Sequence, residues 1–233
     1  MHKRMVQDYQ YLNSWTIRNN YPLPLISELV DKVGKAKYFT KFDLRWGYNN
    51  VQIKKGDEWK AAFTMHRGAF EPVVMYFGLM NSPATFQTMM NSIVQDLIDQ
   101  GVVVVYIDDI LIFTKTEEEH DKIVEEVLKR LEENDLFLKP EKCIFKEKEI
   151  EFLGRYIMEE GVKMDEVKVK VIAEWPVPKK VKDVQSFLGL VNFYRRFIEQ
   201  FSKIVTLLSK LIRKDQPWEW MDQQQNAFDT LKM

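Results

Sequence analysis

With one cysteine, Cys143, the chain cannot build a disulfide framework. Its three histidines, His2, His66 and His120, are scattered and offer no zinc-ligand spacing. No apolar run approaches the roughly 20 residues of a membrane-spanning helix. The N-terminal Met-His-Lys-Arg-Met-Val-Gln-Asp lacks the apolar core of a secretion signal. An intracellular protein with no membrane partner is expected. Internal repeats and low-complexity linkers are also missing, which excludes a solenoid. Nor is there an excess of one charge. The formal net charge is −1, which excludes a uniformly basic nucleic-acid binder, whose affinity would come mainly from phosphate contacts. Charge is nevertheless unevenly spread. Between 179 and 214 stand Lys179, Lys180, Lys182, Arg195, Arg196, Lys203, Lys210, Arg213 and Lys214 against only Asp183 and Glu199, with aromatic residues between them. That segment suits a solvated face as well, and its interleaved aromatics favour a nucleic-acid surface. The acidic run Glu117-Glu118-Glu119, with Asp121, Glu125 and Glu126, suits a solvated helix face.

What is present is most informative at 102–113, Val-Val-Val-Val-Tyr-Ile-Asp-Asp-Ile-Leu-Ile-Phe. Two adjacent carboxylates interrupt an apolar run rich in β-branched residues, which favour extended structure. Burying an ionised carboxylate is costly unless something pairs with it. A plain turn would account for a lone Asp-Asp pair. A routine tight turn would, however, carry Gly or Asn for positive φ angles, and here Ile107 and Ile110 flank the pair. The pattern predicts a hairpin with Asp108 and Asp109 at its tip, presented to a divalent cation. A third carboxylate is available at Asp43, the end of the extended run Tyr-Phe-Thr-Lys-Phe-Asp.

Around these residues the sequence predicts a short helix after Pro22 and Pro24, ended by Gly34. A strand to Asp43 follows, then a second strand near Val51 to Ile53. A hairpin of Trp59–Phe63 with Phe70–Met75 comes next. A helix starts at Ser82-Pro83 and stops at Gly101. Beyond the Asp-Asp hairpin, Thr116 and Glu119 form a capping box for a helix through Leu131. Short strands are expected around Phe137 and from Phe152 to Ile157. After Trp175-Pro176-Val177-Pro178 the pattern turns helical, with Val184, Phe187, Leu188, Val191, Tyr194, Ile198 and Phe201 as a core stripe. This order implies an α+β fold with an antiparallel sheet.

The blocks Phe-Asp-Leu-Arg-Trp-Gly-Tyr (42–48), Phe-Gly-Leu-Met-Asn-Ser-Pro-Ala-Thr-Phe-Gln (77–87), Tyr-Ile-Asp-Asp (106–109), Leu-Lys-Pro-Glu-Lys-Cys (138–143) and Phe-Leu-Gly (152–154), in this order and spacing, resemble reverse transcriptases. The gypsy class of long-terminal-repeat retrotransposons matches best. Val-Gln-Ser-Phe-Leu-Gly-Leu-Val-Asn-Phe-Tyr-Arg-Arg-Phe-Ile (184–198) resembles the thumb signature of that class. The resemblance runs from about Arg4 to the end. It implies a right-hand polymerase with a ferredoxin-like palm, partial fingers and a helical thumb. Fingers are expected over 1–37 and 54–85, palm over 38–53 and 86–173, thumb over 174–215. The start of a connection region is expected over 216–233, with ribonuclease H absent and the fingers shortened at the N-terminus.

The resemblance also implies an activity: RNA-directed DNA synthesis on an RNA or DNA template with a primer, using deoxynucleoside triphosphates. Two Mg²⁺ ions, for which Mn²⁺ can substitute, are expected on Asp43, Asp108, Asp109 and the carbonyl of Leu44. Lys142 matches a lysine that protonates the leaving pyrophosphate. Arg4, Leu44, Tyr48, Phe77, Gly78 and Gln87 match nucleotide-binding positions, Tyr48 as a gate against the 2′-hydroxyl. Tyr106, Ile107, Phe152, Leu153, Gly154, Arg195, Arg196 and Lys203 are expected on primer and template. The parent polyprotein would carry ribonuclease H and integrase regions and reside in a cytoplasmic retroelement particle. Trp46, Tyr76 and Met80 depart from the common pattern, none of them a metal ligand. A non-catalytic nucleic-acid-binding module derived from such a polymerase is the alternative, and a purely structural protein is the other. Neither gives a reason to keep Asp43, Asp108 and Asp109 together.

Overall fold

The computed structural model describes residues 6–164, 166–214 and 216–232. Along the chain, α1 (Gln10–Trp15) and α2 (Ile26–Lys32) precede strand β1 (Tyr38–Asp43), the short hairpin β2 (Phe63–Met65) and β3 (Gly68–Phe70), and α3 (Ser82–Gln100). Strands β4 (Val103–Tyr106) and β5 (Asp109–Thr114) lead into α4 (Glu117–Glu133). Then come β6 (Ile144–Glu147), β7 (Glu149–Phe152), β8 (Arg155–Met158) and β9 (Gly161–Lys163), and the helices α5 (Glu166–Ala173), α6 (Val181–Asn192), α7 (Phe201–Ser209) and α8 (Asp222–Lys232). The described residues fall into two compact units, divided between Val162 and Lys163. Helix α5, expected with the palm, belongs to the second unit.

The first unit is built on a four-stranded antiparallel sheet of order β4-β5-β1-β6. Alternation along the strands gives it two apolar faces. Phe42, Leu44, Val103, Val105, Ile110 and Ile112 pack with Phe86, Met90 and Val94 of α3 and with Val127 and Leu131 of α4. Phe39, Val104, Leu111 and Phe113 point the other way, onto Leu29 and Val30 of α2 and Ile150 and Phe152 of β7. Two-faced burial explains why 102–113 reads as a continuous apolar run rather than an alternation. Gly101 ends α3 at φ 73°, its N–H bonded to Ile98 and Leu97 carbonyls, as expected for a left-handed cap. The Thr116 side chain accepts the Glu119 N–H at the start of α4. In the second unit Val184, Phe187, Val191 and Tyr194 are buried against Leu208, Leu211 and Phe228, so the expected stripe is core.

Two expected strands take other forms. Trp46 (φ 68°) and Gly47 (φ 48°) curl the chain into a 3₁₀ turn over Gly47–Asn50, held by Asn50 Nδ2 donating to the Arg45 and Gly47 carbonyls. The segment near Val51 to Ile53 therefore pairs only at the Gln52–Val74 bridge. The segment around Phe137 likewise forms only the Leu44–Leu138 bridge, antiparallel to the end of β1. The hairpin expected from Trp59 to Met75 shrinks to β2 and β3, because Glu58–Ala61 is a 3₁₀ turn.

A buried polar network braces the sheet behind the site. His120 of α4 is completely buried. Its Nε2 lies 2.7 Å from Thr40 Oγ1 and its Nδ1 3.0 Å from Thr114 Oγ1. Thr114 donates its hydroxyl proton to the Thr116 carbonyl, and Thr40 Oγ1 accepts the Lys146 N–H. With the Thr114 proton on the Thr116 carbonyl, Nδ1 donates to Thr114, and a neutral ring accepting the Thr40 hydroxyl at Nε2 satisfies every group in the network. Burial, reinforced by Lys146, holds its pKa below the usual 6.5, against the opposing pull of Asp121 and Glu119. The unfolded chain takes up a proton near pH 6.5 that the folded chain refuses, so stability should fall as pH drops below that value. The limiting slope is about 1.4 kcal/mol per pH unit. Urea unfolding between pH 8 and pH 5.5 checks this: the loss should be larger for the wild type than for His120→Asn. Equal losses would mean that the imidazole does not carry it.

Candidate active site

Strand register brings two of the three aspartates together. Asp43 ends β1 and Asp109 begins β5, and the two are direct cross-strand partners. By alternation both emerge on the face of Phe39 and Leu111. The β4–β5 hairpin closes at Tyr106 opposite Asp109, so Ile107 and Asp108 form its two-residue turn. The Asp108 carbonyl accepts the Leu44 N–H at 3.1 Å, which ties the turn to the residue after Asp43. A β-branched residue at Ile107 takes φ 56°, a strained conformation costing on the order of 1–3 kcal/mol. Gln87 holds it there. Its side-chain carbonyl accepts the Ile107 N–H at 2.8 Å, and its amide donates to the Val105 carbonyl and Asn91 Oδ1.

Gln87 and Phe152 are both completely buried, so neither presents a side chain to a ligand as expected. Gln87 can affect a nucleotide only through the turn. Phe152 packs in the core beneath the tight turn at Leu153 (φ 50°) and Gly154 (φ 75°).

Of the three carboxylates, Asp109 is the one whose charge the surroundings disfavour. Burial raises the Asp109 pKa; Asp108 raises it further and Asp43 adds to this, while Lys41 and Lys142 offset part of the rise. Among the described residues, no group of three or more His, Cys, Asp or Glu side chains is closed around a metal position. Asp43 is engaged instead by two lysines. Lys139 Nζ donates to Asp43 Oδ1 and, at 2.9 Å, to the Leu44 carbonyl, and Lys142 Nζ lies 3.3 Å from Asp43 Oδ2. The Leu44–Leu138 bridge delivers Lys139 here, with its backbone N–H bonded to the Asp43 carbonyl. A 3₁₀ turn at Pro140–Lys142 then brings Lys142 round.

An open cleft of about 490 Å³ adjoins the carboxylates, lined by Trp46, Gly47, Asn49, Tyr76, Phe77, Asp108 and Lys139. Tyr48, half-buried, packs on Phe77 (centroids 5.0 Å apart) and edge-on to Phe86 (5.7 Å). Burial, then Asp108 and Tyr106, raise its hydroxyl pKa, so it stays neutral at working pH. Gly78 (φ 99°) sits under the N-terminal segment: a Cβ there would lie 3.1 Å from the Gln7 carbonyl oxygen, and Asn13 Nδ2 donates to the Gly78 carbonyl. The left-handed φ and the close Gln7 contact both favour glycine here. Arg4 lies outside the described residues. Arg195, Arg196 and Lys203 are exposed in the second unit. Asn49 and Val74 are cleft residues outside the quoted blocks, and Lys139, inside the 138–143 block, had no expected role. Trp46 and Tyr76, known only as departures from the pattern, line the cleft too.

The chemistry of this site and the order of its strands define a class. The family model for reverse transcriptase (RNA-dependent DNA polymerase) matches residues 2–157, and the chain belongs to that family. Its relatives narrow the kind. The Transposon Tf2-3 and Tf2-7 polyproteins of Schizosaccharomyces pombe (strain 972 / ATCC 24843) are each 39% identical over 229 residues, 98% of this chain. The chain spans only 17% of each polyprotein's length. Among solved structures, the foamy viral protease-reverse transcriptase dRH in complex with ds DNA superposes with a TM-score of 0.90 at 28% identity, over 98% of this chain and 40% of that one. The foamy viral protease-reverse transcriptase in complex with RNA/DNA hybrid gives 0.86 at the same identity, over 98% and 31%. No helix among the described residues is long and apolar enough to cross a membrane.

Proposed function

We propose that this chain is an RNA-directed DNA polymerase core that adds deoxynucleotides to a primer 3′-hydroxyl on an RNA or DNA template. The observation that carries this is the register placing Asp43 opposite Asp109, with Asp108 tied by its carbonyl to Leu44. The donors are all oxygen, as hard divalent ions require, and the Asp43 carboxylate with the Leu44 carbonyl already grips a cation, the Lys139 ammonium. These residues fit divalent metal. Asp43, Asp108, Asp109 and the Leu44 carbonyl would hold two Mg²⁺ ions, or Mn²⁺ in their place. Such ions supply Lewis-acid stabilisation of the attacking and leaving oxygens.

The rest of the reaction is positioning. Tyr48 walls the sugar pocket, Phe77 and Gly78 border the incoming deoxynucleoside triphosphate, and Arg4 meets its phosphates. Lys142, beside Asp43, supplies a proton to the departing pyrophosphate. Tyr106, Ile107 and the Leu153-Gly154 turn support the primer end. On this reading 1–37 and 54–85 are fingers, 38–53 and 86–162 palm, and 216–233 the start of a connection region, the thumb expected over 174–215 taking in α5 because that helix belongs to the second unit. The parent would be a retroelement polyprotein with ribonuclease H and integrase regions, acting in a cytoplasmic particle. The test is extension of an oligo-dT primer on poly-rA with Mg²⁺ and dTTP. Template-dependent extension abolished by EDTA is expected. Primer–template binding without extension would favour a non-catalytic binding module.

Arg195, Arg196 and Lys203 form the proposed grip on the duplex. Replacing all three by glutamine should weaken binding similarly for every sequence. It should also flatten the plot of log affinity against log salt, by about 0.9 for each phosphate that these side chains neutralise. An unchanged slope would place these residues off the nucleic-acid path.

A further inference from the structure

We infer that Lys139 is the resident counter-cation of the metal site: its ammonium holds the Asp43 carboxylate and the Leu44 carbonyl in place, and a divalent ion binds by displacing it. The inference rests on the reading of Asp43 and Leu44 as metal ligands. Lys139 Nζ bonds both atoms that would hold the ion, Asp43 Oδ1 and the Leu44 carbonyl oxygen at 2.9 Å. Its side chain is only 24% exposed, against 58% for Lys142, which touches the other Asp43 oxygen at 3.3 Å. Lys139 thus occupies the ion's position, whereas Lys142 approaches from outside.

The arrangement has a reason. Carboxylates on adjoining strand ends repel one another, and a partly buried carboxylate needs a partner. An ammonium supplied by the chain meets that need before metal arrives, and keeps Asp43 in a single orientation. It also explains why, among the described residues, no closed group of acidic side chains surrounds a metal position: Asp43 is turned to its lysines. The main chain keeps the ammonium close after displacement, because the Lys139 N–H stays bonded to the Asp43 carbonyl within the Leu44–Leu138 bridge. The displaced side chain has somewhere to go, since Lys139 also lines the cleft with Asn49, Tyr76 and Phe77. There a released ammonium would face the phosphates of an incoming nucleotide, a compact point charge suited to them. Metal entry and phosphate binding would then favour each other, because metal frees the charge that the phosphates use.

The exchange is tested by Mn²⁺ binding without nucleotide, followed through the electron paramagnetic resonance of free Mn²⁺. Lys139→Met removes the competitor and should bind Mn²⁺ about tenfold more tightly, a change of about 1.4 kcal/mol. Equal or weaker binding by the variant, with the wild type binding normally, overturns the exchange and leaves the metal-site reading standing. No Mn²⁺ binding by either protein overturns both. A second measurement needs no variant. Acylation of lysines in the wild-type protein, read by mass spectrometry, should show Lys139 becoming several-fold more reactive when Mn²⁺ is added. Unchanged or reduced reactivity in the presence of bound Mn²⁺ overturns the proposal.

Discussion

Asp109→Asn should eliminate primer extension, by roughly a thousandfold or more, while leaving the protein folded and slightly more stable without metal. The two effects have opposite signs for one reason. In the metal-free protein the Asp109 charge is a burden: burial raises its pKa, and Asp108 and Asp43 push the same way. An asparagine keeps the shape and removes the charge, so like-charge repulsion at the Asp43–Asp109 pair disappears. On the proposed reading the same charge is a metal ligand, and phosphoryl transfer depends on cations that neutralise charge on the reacting oxygens. Single-nucleotide extension and thermal unfolding in EDTA, measured on the same preparation, separate the two. Extension near the wild-type rate would remove Asp109 from the metal site. A large drop in melting temperature would make the loss of activity a folding defect.

Asp108 and Asp109 were legible because two carboxylates in an apolar run contradict their surroundings. Asp43 was legible only as a strand end, and register was needed to place it opposite Asp109. Local rules also fixed the ends of α3 and the start of α4, where Gly101 and Thr116 act within a few residues of themselves. The strands expected near Val51 and Phe137 went astray for the converse reason. Both segments have the composition of strands, but a ladder depends on a partner distant in sequence. Here left-handed Trp46 and Gly47 turn one segment aside, and the other meets β1 only at Leu44. Lys139 stands inside the 138–143 block, but the block assigns it no role. Only the bridge to Leu44 puts it on Asp43. The burial of Gln87 and Phe152 was not legible, because a motif marks a position without saying whether the side chain faces solvent or core.

Tyr48→Ala should raise ribonucleotide incorporation relative to deoxyribonucleotide incorporation by about tenfold or more, because discrimination is a ratio of kcat/KM values. On the proposed reading the ring has two jobs, and the experiment must part them. Its contacts with Phe77 and Phe86 also make it part of the core edge. Truncating a fully buried aromatic costs roughly 3–5 kcal/mol, so a half-buried one should cost less. A packing loss of that kind lowers the use of both nucleotides together and leaves their ratio alone. A steric wall acts on the ratio, because only the substrate with a 2′-hydroxyl needs the space that the ring fills. Tyr48→Phe sharpens the contrast. It keeps the ring and removes only the hydroxyl, which stays neutral because burial and Asp108 raise its pKa. The Phe variant should therefore retain wild-type sugar selection, and the Ala variant should lose it. A lower melting temperature with an unchanged ratio in Tyr48→Ala would return Tyr48 to the core. A changed ratio in Tyr48→Phe would move selection from the ring to its hydroxyl.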